Sequence, residues 1–140
     1  MDEMTRIRFA EIDLHVPAEP GLYEIHTLDG QALKVGIGKN LRKRLAQHYR
    51  SRQSRLVLKA GGDWSNPRDV ESKQSILTKH LFFAKAEGYD LKSEAGRRAF
   101  LEERCYILFR TTATREEARE LERRKEASGG FRFVGLTDSA

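Results

Sequence analysis

Arg44 and His48 stand four residues apart in the stretch LRKRLAQHY, the spacing that places two side chains one above the other on a helix. Leu41, Leu45 and Tyr49 form the apolar stripe of that helix, so the pair falls on the neighbouring stripe, at the edge of the buried face. A cleft can form at such an edge. A guanidinium there forks onto phosphate oxygens, and an imidazole can carry a proton near neutral pH. Taken singly, an arginine of this kind is a solvated cation and a histidine a core-edge residue. Their spacing is what favours a site.

The surrounding charge points the same way. The chain carries a net charge of +5 with a pI of 9.5. Lys34, Lys39, Arg42, Lys43, Arg44, Arg50, Arg52, Arg55 and Lys59 fall in one run, with no acid between Asp29 and Asp63. A solvated helix face normally mixes signs, and this run does not. It is the electrostatic footprint expected for a phosphate backbone, with Lys39, Arg42, Lys43, Arg50, Arg52 and Arg55 as nucleic-acid contacts. The acids gather instead near the C-terminus, at Glu116, Glu117, Glu120, Glu122 and Glu126.

These side chains need elements to position them. GLYEIHTL alternates as a strand, Asp29-Gly30 supplies a turn, and ALKVG reads as the partner strand of a hairpin. Gly36 and Gly38 bracket Ile37, and Asn40 is an N-cap for a helix over about 41–54. Residues 1–19 read as an arm or lead-in closed by Pro17 and Pro20, and AGGDWSNPR as a loop. VESKQSILTKHLFFAKAEG starts as a helix, while KHLFF within it fits a helix or a short strand. SEAGRRAFLEE is a weaker helix candidate. RCYILFR is a strand with Cys105, Ile107 and Phe109 on one face. Thr114 and Glu117 form a capping box for a helix through about Ala127, ended by Gly129-Gly130, and FRFVG is a candidate last strand.

This order resembles the GIY-YIG nuclease superfamily. Gly21-Leu22-Tyr23 stands at the first name-giving tripeptide and Lys34-Val35-Gly36 at the second. GKNLRKRLAQH continues as the family's helix, and TREEARELERR is similar to the helix that carries its metal-binding glutamate. The motif blocks cover about 21–49 and 105–134, and about 50–104 is an insert or divergent helical region. The resemblance implies an α/β fold: a small mixed, mainly antiparallel sheet of three strands flanked by helices, in a single domain over 1–140. It implies metal-assisted hydrolysis of phosphodiesters in DNA, favoured over RNA, with one Mg²⁺ or Mn²⁺ held by Glu122. Tyr23 would then act on the attacking water, Arg44 on the scissile phosphate, and His48 as proton carrier or phosphate contact. A homodimer would offer a domain this small a second grip on its substrate.

Three positions depart from the pattern. Lys34 replaces the second tripeptide's tyrosine; its ammonium can hold a water or a phosphate oxygen, or, with a lowered pKa, accept a proton. Ile37 stands where many relatives carry lysine, and Val134 near where an asparagine often closes the motif set. An active endonuclease is therefore weighed against a binding module of the same scaffold that no longer cuts, and against a protein-interaction domain whose charge only aids solubility. Trp64 either stacks on a base or anchors its loop, and His80, Phe82 and Phe83 read as packing. His15 and His26 have no companion ligands.

Length and cysteine usage set the outer bounds. At 140 residues and 16.1 kDa the chain can bury a core as one domain. A single cysteine excludes an intramolecular disulfide and a Cys-based zinc framework. No stretch resembles a signal peptide or a membrane span, so a soluble cytoplasmic protein is expected.

Overall fold

The computed structural model describes residues 4–131. Its elements follow as β1 (Thr5–Ile7), α1 (Ile12–His15), β2 (Gly21–Thr27), β3 (Ala32–Gly38), α2 (Leu41–Tyr49), β4 (Leu56–Leu58), β5 (Val70–Ser72), α3 (Ile76–Phe83), α4 (Glu94–Arg104), β6 (Cys105–Thr111) and α5 (Arg115–Ala127). The fold is α/β, as expected. Among the described residues the main sheet has four strands in the order β1-β6-β2-β3, each neighbouring pair antiparallel, one strand more than the expected three. No helix among these residues is long and apolar enough to cross a membrane.

The β2–β3 hairpin turns where Asp29-Gly30 predicts, with Gly30 at φ +98° and the Gln31 N–H donating to Thr27 Oγ1 at 2.9 Å. A register shift between Ile25 and His26 leaves Leu33 as an extra residue on β3. Tyr23 pairs with Gly36 and Ile25 with Lys34, so all four share one face of the sheet, together with Phe109 and Ile107 of β6. Leu41 and Leu45 of α2, Leu77 and Leu81 of α3 and Leu101 of α4 close over that face. Each such leucine contributes roughly 1.5–3 kcal/mol by leaving water.

The N-terminal segment is not a mere arm. β1 adds to the sheet through β6, and Ile7, Phe9, Ile12 and Val16 belong to the main core. Helix α2 ends at Tyr49 rather than near 54. The Arg50 N–H still donates to the Ala46 carbonyl, but beyond it the Arg52 N–H donates to Gln74 Oε1 and the Gln53 N–H to Glu94 Oε1, which draws the chain out of the helix. Residues 50–104 then build a second, two-stranded sheet, β4–β5, whose Leu56 and Val70 pack with Phe82. VES, expected to open a helix, is instead strand β5, and KHLFF is helical, within α3. The Trp64 ring lies 5.9 Å from that of Phe82, centroid to centroid, with the residue 45 % exposed. The loop is thus anchored on α3, while part of the indole stays open.

On β6, Cys105, Ile107 and Phe109 all face the core. Helix α5 starts at the Thr114 cap, whose hydroxyl accepts from the Glu117 N–H. Glu117 reaches back one residue further than a capping box requires, to the Ala113 N–H at 3.0 Å. α5 packs on β2 and on β3, an edge strand of the sheet among the described residues. The candidate strand FRFVG and Val134 lie outside the described residues, apart from Phe131.

Candidate active site

Tyr23 crosses the face of β3, and Gly36 is what lets it do so. A Cβ on Gly36 would stand 2.2 Å from the Tyr23 hydroxyl, and one on Gly38 would stand 3.0 Å from Cβ of Arg44. The two glycines therefore make room for the phenol and for the arginine-bearing helix. Asn40 starts that helix, its side chain accepting from the Lys43 N–H. Leu41 and Leu45 seat the helix in the core, which brings Arg44 and His48 to the Tyr23 side of the sheet.

Tyr23 and His48 are 1 % and 2 % exposed, and their side chains meet at 2.5 Å between Oη and Nε2. The second ring nitrogen of His48, Nδ1, lies 2.6 Å from Ser75 Oγ. Burial, reinforced by the charges of Arg44 and Lys34, holds the imidazole well below its ordinary pKa, so it is neutral. Burial also pushes the phenol up to about 12; Arg44 opposes this through its charge and a side-chain hydrogen bond, and the charge of Glu122 adds to it. The short Tyr23–His48 contact has two forms: the phenol donates to a bare Nε2, or it accepts from an Nε2–H, and the tautomer of His48 decides between them. A neutral ring carries one proton, so Nδ1 donates to Ser75 in the first form and accepts from it in the second. Arg44 itself is held by Nη1 donating to Gln47 Oε1 at 3.0 Å and to the Gln74 carbonyl at 3.1 Å.

Lys34, 6 % exposed on β3, shares the Tyr23 face, and its charge reaches both His48 and Glu122. Glu122 projects from α5 half-buried. Desolvation, with Glu126 as a second cause, raises its carboxyl above the usual range, against the pull of Lys34, Arg119 and Arg115. One helical turn further along, Lys125 bonds Glu24 at 2.6 Å, on the other face of the sheet. Burial works to raise Glu24, but hydrogen bonds from His26 and Lys125 outweigh it and hold the carboxyl below its ordinary value. That pair is structural, and it pins α5 where Glu122 can act on Tyr23 and Lys34.

Among the described residues no group of three or more His, Cys, Asp or Glu side chains could cage a metal. A hard divalent cation bound beside a phosphate needs less, since it keeps several waters and takes one or two carboxylates. Glu122 suits that donor set. It is a half-buried carboxylate whose charge is disfavoured by desolvation and by a neighbouring acid, and a cation relieves both.

The expected residues therefore fall into groups. Tyr23, Lys34, Arg44, His48 and Glu122 act on one another through hydrogen bonds or charge. The predicted nucleic-acid contacts Lys39, Arg42, Lys43, Arg50, Arg52 and Arg55 are all exposed, but two of them also have partners within the chain. Arg42 donates Nε to the Val16 carbonyl at 2.7 Å, and Arg50 pairs with Asp13 at 3.0 Å, so both tie α2 to the N-terminal segment. Ile37 pairs with Leu22 and faces away from Tyr23. Ser75 and Gln74 were not foreseen. Ser75 is readable as the N-cap of α3, but nothing local announces its bond to His48.

Compared with known protein families, with curated proteins and with solved structures, the chain matches none of them.

Proposed function

We propose that this protein is a divalent-metal-dependent endonuclease that hydrolyses phosphodiester bonds in DNA. One observation carries the reading: Tyr23 and His48, at two positions of the GIY-YIG pattern, meet side chain to side chain at 2.5 Å, with Arg44, Lys34 and Glu122 acting on them electrostatically. The acid-free basic run beside them supplies the grip on the backbone.

In this mechanism a water oxygen bonds phosphorus as the bond to the leaving oxygen breaks. The water gives its proton to bulk solvent, and the leaving oxygen takes one from bulk solvent. Tyr23, its phenol protonated at neutral pH, orients the water. His48 holds the phenol in place and stays neutral. The Arg44 guanidinium meets the charge growing on the non-bridging oxygens, where a fixed donor counts most. Lys34, at the place of the family's second tyrosine, holds the water or a phosphate oxygen. Glu122 would hold a divalent cation, which when bound would supply positive charge to offset the negative charge that develops on cleavage. A single buried Cys105, its thiol pushed up to about 12 by burial, accords with a reducing cytoplasm.

The substitution at Lys34, together with the burial of Tyr23 and His48, favours a second reading, a nucleic-acid-binding module without cleavage. Incubating the purified chain with labelled single- and double-stranded DNA, with and without Mg²⁺ or Mn²⁺, separates the two. Metal-dependent cutting supports the endonuclease. Salt-sensitive binding with no cutting supports the second reading.

A further inference from the structure

We propose that the Gln74–Ser75 segment, at the root of the β4–β5 hairpin, is a positioning element of this site that fixes the His48 tautomer and the place of Arg44. The inference rests on the reading of Tyr23 and Arg44 as the groups that meet water and phosphate. The segment lies outside both motif blocks, yet two successive residues hold two site side chains. The Gln74 carbonyl accepts from Arg44, and Ser75 Oγ lies 2.6 Å from His48 Nδ1.

The segment is itself fixed from several sides. Ser75 is buried, and its hydroxyl also accepts from the Thr78 N–H at 3.2 Å as the N-cap of α3. The Ser75 N–H donates to Ser72 Oγ at 2.9 Å, and Gln74 Oε1 accepts from the Arg52 N–H at 3.1 Å. A neutral imidazole has one proton for two nitrogens, and the partner of one decides what the other offers. With Ser75 as acceptor, the proton stays on Nδ1 and leaves Nε2 free to accept from Tyr23. Without it, a buried Nδ1–H would go unsatisfied, and the tautomer protonated on Nε2 gains. That tautomer points an N–H at the phenol and turns its O–H away. Ser75 thus acts through His48 on the direction of the Tyr23 hydroxyl.

Heteronuclear NMR of the histidine rings, paired with cleavage kinetics, tests this. In the wild-type chain His48 is expected to carry its proton on Nδ1; a proton on Nε2 overturns the inference at once. Ser75→Ala should move the proton towards Nε2 and lower kcat by about tenfold to a hundredfold, with KM changed by no more than about twofold. Ser75→Thr, which keeps the hydroxyl, should restore both readouts, and Ser75→Gly, a residue N-caps tolerate, serves if the alanine variant does not fold. Ser93→Ala removes the corresponding cap of α4, where Ser93 Oγ accepts from the Gly96 N–H at 2.9 Å, and should leave tautomer and kcat unchanged. An unchanged tautomer without the Ser75 hydroxyl, or an equal loss of kcat in Ser93→Ala, contradicts the proposal. Should the wild type cut no DNA, the endonuclease reading falls, and the tautomer alone still decides this one: a shift supports it and no shift overturns it.

Discussion

The Tyr23 hydroxyl occupies space that any side chain at Gly36 would claim, 2.2 Å from where a Cβ would stand. Both residues are buried, so the ring has no free volume into which to retreat. Gly36→Ala should therefore cost about 1–3 kcal/mol of stability through overpacking. It should also displace the phenol from His48, which tyrosine and histidine NMR signals would report. Wild-type stability with an intact Tyr23–His48 contact would show that the ring is less confined than its packing indicates.

His48 makes stability depend on pH in a stated direction. Its folded pKa lies well below the ordinary 6.5, so below that value the unfolded chain binds the proton that the folded chain refuses. Stability is then lost as pH falls from about 6.5 towards the folded value, at up to ~1.4 kcal/mol per pH unit for one proton. Urea unfolding from pH 7 to pH 5 should show this slope, and His48→Gln should flatten it. An identical slope in the variant would assign the acid sensitivity to other groups.

The cations of the basic run divide by what they touch. Arg42 is committed to the Val16 carbonyl, so Arg42→Ala should lower stability by about 1 kcal/mol. Lys43, Arg52 and Arg55 are exposed, and replacing all three with alanine should weaken DNA binding and reduce its salt dependence by roughly one ion per lost phosphate contact. Affinity measured over a series of salt concentrations checks this. An unchanged slope would mean that the backbone runs elsewhere.

Much of the frame was legible because it is local. The Asp29-Gly30 turn, the Asn40 and Thr114 caps and the alternation of Cys105, Ile107 and Phe109 are each decided by neighbours in sequence. β1, β4 and β5 span three residues apiece, too few to show a period, and exist because long-range partners pair with them. The same holds at the site. Arg44 and His48 were readable from their helical spacing, and Tyr23, Lys34 and Glu122 only through the family pattern. Ser75 was not readable as a site residue at all, since its bond to His48 spans two elements and only the folded core brings them together.

Glu122 carries the metal-dependent part of the account, and Glu122→Gln tests it most directly. The substitution removes the charge while keeping the shape and the hydrogen-bonding oxygen. Cleavage of labelled DNA in Mg²⁺ or Mn²⁺ and affinity without metal should be measured side by side for the wild type and the variant. Cutting by the wild type, its loss in Glu122→Gln by about a hundredfold or more, and affinity within about twofold is the result expected of a group acting only in the chemical step. Undiminished cutting by the variant, or binding that falls in step with cleavage, would contradict the assignment of the cation to Glu122.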